Sequence, residues 1–281
     1  MSRGGAPMEH WTRAEARAWM RAPAATDDKY ARGVVGLVTG SHDYPGAAVL
    51  GVEAAHRAGA GMVRHVGPRR VGDLVLARRP ETVVQAGRVQ AWVLGSGTDP
   101  AGRSDALAAV LQEALDEGVP AVVDAGALDL AGTGDGARLL TPHAGELRAL
   151  LASLGEDGLT RGDVEADPER WARLAATRTG ATVLLKGART LVTDGARVVL
   201  VAAPTHWLAT AGTGDVLAGV AGAMLAAHAD AIARDAGIVV DLGATAAWIH
   251  GAAGERASGG GPLVALEVAE QVADVVAGLL A

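Results

Sequence analysis

The stretch ARLLTPHAGELRALLASLG, from Ala137 to Gly155, changes its period halfway along. ARLL is a short apolar run of strand length. From Ala144 onward apolar residues recur three and four apart, as they do on one face of a helix, and Gly155 is a stop signal. A strand that feeds directly into a helix reaches its next partner by crossing over, and crossovers of that kind produce parallel pairing. The same unit recurs in both directions. VVGLVTG (34–40) precedes the helix-like GAAVLGVEAAHRAG, and AWVLGSG precedes SDALAAVLQEALDEG, an amphipathic helix ending at Gly118. PAVVDAG, GMVRHV and TVVQ read as strands, and PERWARLAATRTG as a helix before the strand ATVLLKG. TLVTDGARVVLV reads as a hairpin turning at Asp194-Gly195. Three helical stretches follow, joined through the glycine-rich ASGGGP. At the other end WTRAEARAWM reads as a short helix, with Thr12 and Glu15 at capping-box spacing.

This alternation predicts an α/β fold: a mainly parallel sheet with helices on both faces. No internal repeat and no long linker appears. The expected organisation is an N-terminal appendage with a short helix over residues 1–25, then one catalytic domain over 26–281.

The chain is 49% hydrophobic, enough for a sizeable core, and its net charge of -7 comes with no dense basic cluster, so nucleic acid is not an expected partner. With no cysteine, disulfides, thiol catalysis and cysteine-type zinc sites are excluded. MSRGGAPMEHW holds no apolar signal segment, and apolar stretches elsewhere are interrupted by Asp, Arg or His. The expectation is a cytoplasmic protein without a membrane helix. Only two of the 25 basic residues are lysines, Lys29 and Lys186, so each lysine is a position to inspect.

In folds of this class ligands collect at the C-terminal ends of the strands. Polar residues collect there in this sequence too: Ser41-His42-Asp43-Tyr44, the GSG glycines, Asp124, His143 and Lys186. The strongest signal is AGTGDVLAG, Ala211 to Gly219. Gly212 and Gly214 allow a tight turn whose N–H groups can approach an anion, and the helix that follows presents its positive end there. Asp215, in the first turn, is placed to accept a proton from a substrate hydroxyl; the plainer reading is a helix cap. Lys186 before Gly187 suits a phosphate contact, or else a solvated turn. His143 and Glu146 share one face at a helix start, where Glu146 could hold a metal-bound water or simply favour the helix dipole. Trp207, beside the glycine turn, is the aromatic best placed to touch a ligand, whereas Trp92, Trp171 and Trp248 fall in core patterns. There is no Walker A, G-x-G-x-x-G, G-x-S-x-G or H-E-x-x-H sequence.

GSHDYPGAAVLGVEAAHRAGAGMVR, LLTPHAGEL, VLLKGARTLV, LATAGTGDVLAG and AAWIHGAAGERA, in this order, resemble the ADP/ATP-dependent (S)-NAD(P)H-hydrate dehydratases. These are ribokinase-like proteins that also form the C-terminal-type domain of the bifunctional nicotinamide nucleotide repair enzymes. The resemblance covers roughly residues 9–281. It implies a ribokinase-like three-layer sandwich, repair of (6S)-NADHX or NADPHX to NADH or NADPH, ADP (or ATP) as co-substrate with Mg²⁺, and a homo-oligomer. Carried over by motif, Ala47, Gly97, His143 and Asp215 would contact the hydrated nucleotide, with Asp215 as the catalytic base. Lys186, Gly187, Ala188, Arg189 and Thr190, with Gly212, Thr213 and Gly214, would bind ADP or ATP. Glu146 would hold the metal through water. Two departures stand out: Gly126 where many relatives carry Asp, and Ser96 where many carry Pro. The same cradle and base would also serve a ribokinase-like kinase of a vitamin precursor or other small alcohol, and a decayed site would leave a nucleotide sensor.

Overall fold

A computed structural model describes residues 9–281; the first eight residues of the expected N-terminal appendage lie outside it. Nine strands form one sheet in the order β1-β9-β8-β7-β6-β5-β4-β2-β3. The central strands β2 (Val34–Val38), β4 (Ala91–Leu94), β5 (Ala121–Val123), β6 (Arg138–Leu140) and β7 (Thr182–Leu185) run parallel, and β3 (Met62–His65) joins them beyond β2. The exceptions are the pairings of β8 (Arg189–Thr193) with β7 and with β9 (Val198–Ala202). This is the expected hairpin. Asp194 Oδ1 closes its turn by accepting from the N–H groups of Ala196 and Arg197, and Gly195 takes φ 97°.

Period-2 alternation assigns each strand residue to a face. Val35, Leu37, Val93 and Leu139 point to one core, Val34, Val38, Leu94 and Leu140 to the other. The first face is covered by α2 (Gly46–Arg57), α3 (Arg69–Arg78), α8 (Thr213–Ala227), α10 (Val239–Ser258) and α11 (Ala265–Leu280). The second is covered by α4 (Asp105–Asp116), α5 (Ala144–Ser153), α6 (Arg161–Ala166) and α7 (Pro168–Thr179). The result is three layers.

Three local expectations change. TVVQ forms only an isolated bridge, Val83 to Arg64, with Val83 N–H donating to the Val63 carbonyl and His65 N–H to the Val83 carbonyl. Four helices rather than three follow the hairpin, the extra one being the six-residue α9 (Ala229–Arg234). The segment Ala236–Ser258 is long and apolar enough to cross a membrane by length and composition alone, but it carries Asp241 and His250, and 61% of its apolar window is buried within the fold as a core helix. Residues 9–10, not expected as a strand, form β1 (Glu9–His10) and pair parallel with β9; Trp11 beside them is 6% exposed. The short helix α1 (Arg13–Ala18) starts with the expected Thr12–Glu15 capping box.

The helix that carries the glycine turn lies unusually close to its neighbours. A Cβ at Gly219 would stand 2.2 Å from the Gly51 carbonyl oxygen, and one at Gly222 2.2 Å from Val93 Cγ2. These contacts set α8 deep against α2 and the sheet, which fixes where its first turn points. Gly219→Ala is expected to lower stability by about 1–3 kcal/mol by forcing the helices apart. A thermal melt tests this; an unchanged midpoint would show that the crossing can relax.

Candidate active site

Register explains why one corner of the sheet is polar. Leu94 of β4, Val123 of β5 and Leu140 of β6 stand side by side. The residues that follow therefore emerge together: Ser96, Asp124 and Thr141. Asp124 is 2% exposed. Its Oδ1 accepts hydrogen bonds from Thr141 Oγ1 at 2.7 Å and Lys186 Nζ at 3.0 Å. Its Oδ2 accepts from Ser96 Oγ at 2.8 Å. A carboxylate so buried is stable only when its lone pairs are used. Ala125, immediately after it, takes φ 44°, a left-handed conformation that costs a non-glycine residue energy and bends the chain sharply away from the strand.

Lys186 is steered by this hub rather than by solvent. It lies 3.7 Å from Glu146 Oε2 as well, and its side chain is 21% exposed. Burial works against its charge, but Asp124, Glu146 and Asp215 together hold its proton above the ordinary lysine range. A Cβ at Gly214 would stand 3.4 Å from Lys186 Nζ, so the ammonium faces the glycine turn.

Gly212 is the N-cap of α8 with φ 91°, and the helix has no side-chain cap. The capping alternative for Asp215 is therefore not what this side chain does. Burial first, and then the negative charge of Asp124, raise its proton affinity to a pKa of about 7; Lys186 opposes the shift and Glu146 adds to it. Three carboxylates share one ammonium, and Asp215 is the one whose proton affinity is raised. Thr213 behaves differently from its neighbours. Its Oγ1 donates to the carbonyls of Leu208 at 2.8 Å and Thr210 at 2.9 Å, tying down the loop before the helix.

His143 and Glu146 form a capping box on α5. His143 Nδ1 accepts from the N–H groups of Gly145 and Glu146, and Glu146 Oε2 accepts from His143 N–H at 2.8 Å. The ring is more than half exposed, with Nε2 3.6 Å from Glu146 Oε1. The bridge between His143 and Lys186 sets both beside the same opening.

That opening is a cavity of about 550 Å³. Of the expected nucleotide residues, Lys186, Gly187, Ala188, Thr190, Thr213 and Gly214 line it. Arg189 and Gly212 are not on its wall. Apolar Val201, Leu217 and Ala247 face the polar strip. Ala47 and Gly97 lie elsewhere, against each other: Gly97 takes φ 69°, and a Cβ there would stand 2.4 Å from Ala47 Cβ. Gly40 N–H donates to the Ser96 carbonyl, which ties this second place to the Asp124 hub.

Both sequence departures have a structural basis. A Cβ at Gly126 would stand 2.2 Å from the Thr98 carbonyl oxygen, so glycine is what this loop admits. Ser96 supplies the hydroxyl that Asp124 Oδ2 needs. The sequence reading noted Asp124 as a strand-end carboxylate but left it out of the site, along with Ser96, Thr141 and His250 of the cavity wall. His250 lies in AAWIHGAAGERA, where its helical periodicity conceals it.

A family model described as NAD(P)H-hydrate dehydratase matches residues 35–267. The chain is 45% identical over 217 residues to the bifunctional NAD(P)H-hydrate repair enzyme of Mycobacterium tuberculosis, covering 73% of this chain and 43% of that protein. It is 32% identical to the ADP-dependent (S)-NAD(P)H-hydrate dehydratase of Neisseria meningitidis serogroup B, covering 93% and 85%. It thus spans less than half the length of the first of these relatives. Among solved structures, the ADP/ATP-dependent NAD(P)H-hydrate dehydratase of Bacillus subtilis, co-crystallized with ATP/Mg²⁺, superposes with a TM-score of 0.84 at 24% identity, over 98% of this chain and 100% of that one. A ribokinase-like superfamily protein of Enterococcus faecalis superposes at 0.80 with 20% identity, over 97% and 96%. The expected ribokinase-like fold is the one found.

Proposed function

The chain belongs to the NAD(P)H-hydrate dehydratase family, and on that premise we propose that it restores NADH or NADPH from the (6S)-hydrates, using ADP or ATP. The observation that carries this reading is Asp215 in the first turn of α8, directly after Gly212–Gly214 and facing the Asp124-held Lys186. The hydroxyl of a hydrated nicotinamide is a poor leaving group, and phosphorylation makes it a good one. Asp215 takes the hydroxyl proton as the hydroxyl oxygen bonds to the transferring phosphorus and the nucleotide departs. The ring nitrogen lone pair then expels phosphate, and loss of the neighbouring carbon's proton restores the dihydropyridine. The amides of the glycine turn and the Lys186 ammonium stabilise the charge of the transfer. Ala47 and Gly97 shape a place for the hydrated ring, and His143 contacts the hydrated nucleotide from the cavity wall.

Among the described residues there is no group of three His, Asp or Glu arranged to hold a metal. The Glu146 carboxylate suits Mg²⁺, which commonly keeps its waters and binds through one or two carboxylates plus substrate phosphates. Glu146 would hold the ion through water, and the ion would supply charge neutralisation. We further propose one catalytic domain over residues 26–281, a cytoplasmic setting and a homo-oligomer.

The test is incubation with the hydrate, Mg²⁺ and either nucleotide, following recovery of dihydropyridine absorbance. No recovery with either one overturns the reading, and phosphorylation of another small alcohol would favour the kinase. A second expectation concerns pH. Asp215 acts as a base only when ionised, so kcat/KM should rise with pH through about 7 and level off above it. A profile that is flat across this range removes Asp215 as the base.

A further inference from the structure

His250 stands on α10 in the wall of the cavity, and the chemistry above does not use it. Its Nε2 is buried and has no hydrogen-bond partner. Native folds leave few such atoms unsatisfied, because the lost hydration is not replaced. The helix that carries the ring has little room to move. On the same helix a Cβ at Gly251 would stand 3.0 Å from Pro204 Cδ, and one at Gly254 2.6 Å from Leu208 Cδ2, so the helix is seated tightly under the loop that precedes α8. Burial lowers the imidazole pKa to about 4, with a hydrogen bond to the Thr213 backbone opposing and the Lys186 charge adding to the effect. At neutral pH the ring is therefore uncharged, with one nitrogen that donates and one that accepts. That suits a hydroxyl better than a phosphate.

Position narrows the partner. His250 shares its wall with Thr213, at the start of the anion cradle, and with Ala247, on the apolar side. A nucleotide with its phosphates at Lys186 and Gly214 and its base against Val201 and Leu217 would bring its sugar between them. We infer that His250 reads the ribose of the bound nucleotide, its Nε2 exchanging one hydrogen bond with a sugar hydroxyl. The ligand class selected is a ribonucleotide over its deoxy counterpart. The inference rests on the nucleotide-site reading above.

Calorimetric titration with ADP, 2′-deoxy-ADP and 3′-deoxy-ADP tests it without any turnover. The parent protein should bind ADP about tenfold more tightly than one of the deoxy forms, the worth of one hydrogen bond. His250→Leu should lose about tenfold for ADP, bind all three alike, and melt no lower than the parent without ligand, since the orphaned nitrogen is gone. His250→Gln, which keeps a polar group, should retain part of the discrimination and carries the test if the Leu variant does not fold. Unchanged ADP affinity in either folded variant overturns the inference. So does an equal loss for ADP and both deoxy forms, which would mark a contact elsewhere on the nucleotide. A parent that binds no nucleotide at all overturns the nucleotide site itself, a different result from either of these.

Discussion

Asp215→Asn is expected to lose at least about a hundredfold in kcat while keeping its fold and its nucleotide affinity. The substitution preserves shape and removes the charge that accepts the proton. Asparagine and aspartate rank together as helix caps, so a capping role would leave rates nearly normal. The electrostatics add a second, opposite signature. The folded-state pKa of about 7 lies above that of an unfolded aspartate, so the unfolded chain releases this proton first as pH rises. Stability is thus lost progressively between about pH 4 and pH 7, and the full cost of ionising the buried carboxyl, up to roughly 4 kcal/mol, is present above that window. The Asn variant should melt higher than the parent at pH 8, with the gap closing towards pH 4. A folded variant that retains more than about a tenth of the parent kcat would defeat the proposed base. A melting gap that widened as pH fell would contradict the raised proton affinity.

Lys186→Ala should weaken ADP binding by at least about tenfold, since it removes a charge-assisted phosphate contact. From sequence, a lysine at a strand end is not expected to support the core. The structure changes that expectation. Lys186 is the cation of Asp124, whose side chain is 3% exposed. Removing one partner of a buried pair costs about 3–5 kcal/mol. The low end applies here, because Ser96 and Thr141 still bond Asp124 and the lysine itself is partly exposed. The single variant should therefore melt well below the parent, and Asp124→Asn combined with Lys186→Ala should recover part of the loss. Calorimetry and melts of the single and double variants decide. Normal ADP affinity in the single variant would remove Lys186 from the nucleotide site, and additive losses in the double variant would show that the pair is not coupled.

What the sequence determined by itself was local or periodic. The alternation of apolar runs and amphipathic helices specifies a mainly parallel α/β sheet, because strand and helix periods differ and each hides its own apolar face. The Thr12–Glu15 box, the Asp194-Gly195 turn and the glycine stops at Gly118 and Gly155 are readable because their hydrogen bonds close within a few residues. The family motifs point to Asp215 and Lys186 as candidates for the same reason: each stands beside its own diagnostic glycine.

Only the tertiary structure decided the rest, since it depends on what lies alongside in space. TVVQ has strand composition, but its neighbours leave it a single bridge, and Glu9–His10 becomes a strand because β9 offers an edge. Asp124 meets Lys186 across 62 residues of chain, and Ser96 and Thr141 reach it from different strands. The raised proton affinity of Asp215 and the unpartnered nitrogen of His250 are products of burial and of neighbouring charge, and no window of sequence contains either. Backbone period and capping are written along the chain, whereas charge coupling and desolvation act through space and exist only once the sheet has set the register of its strand ends.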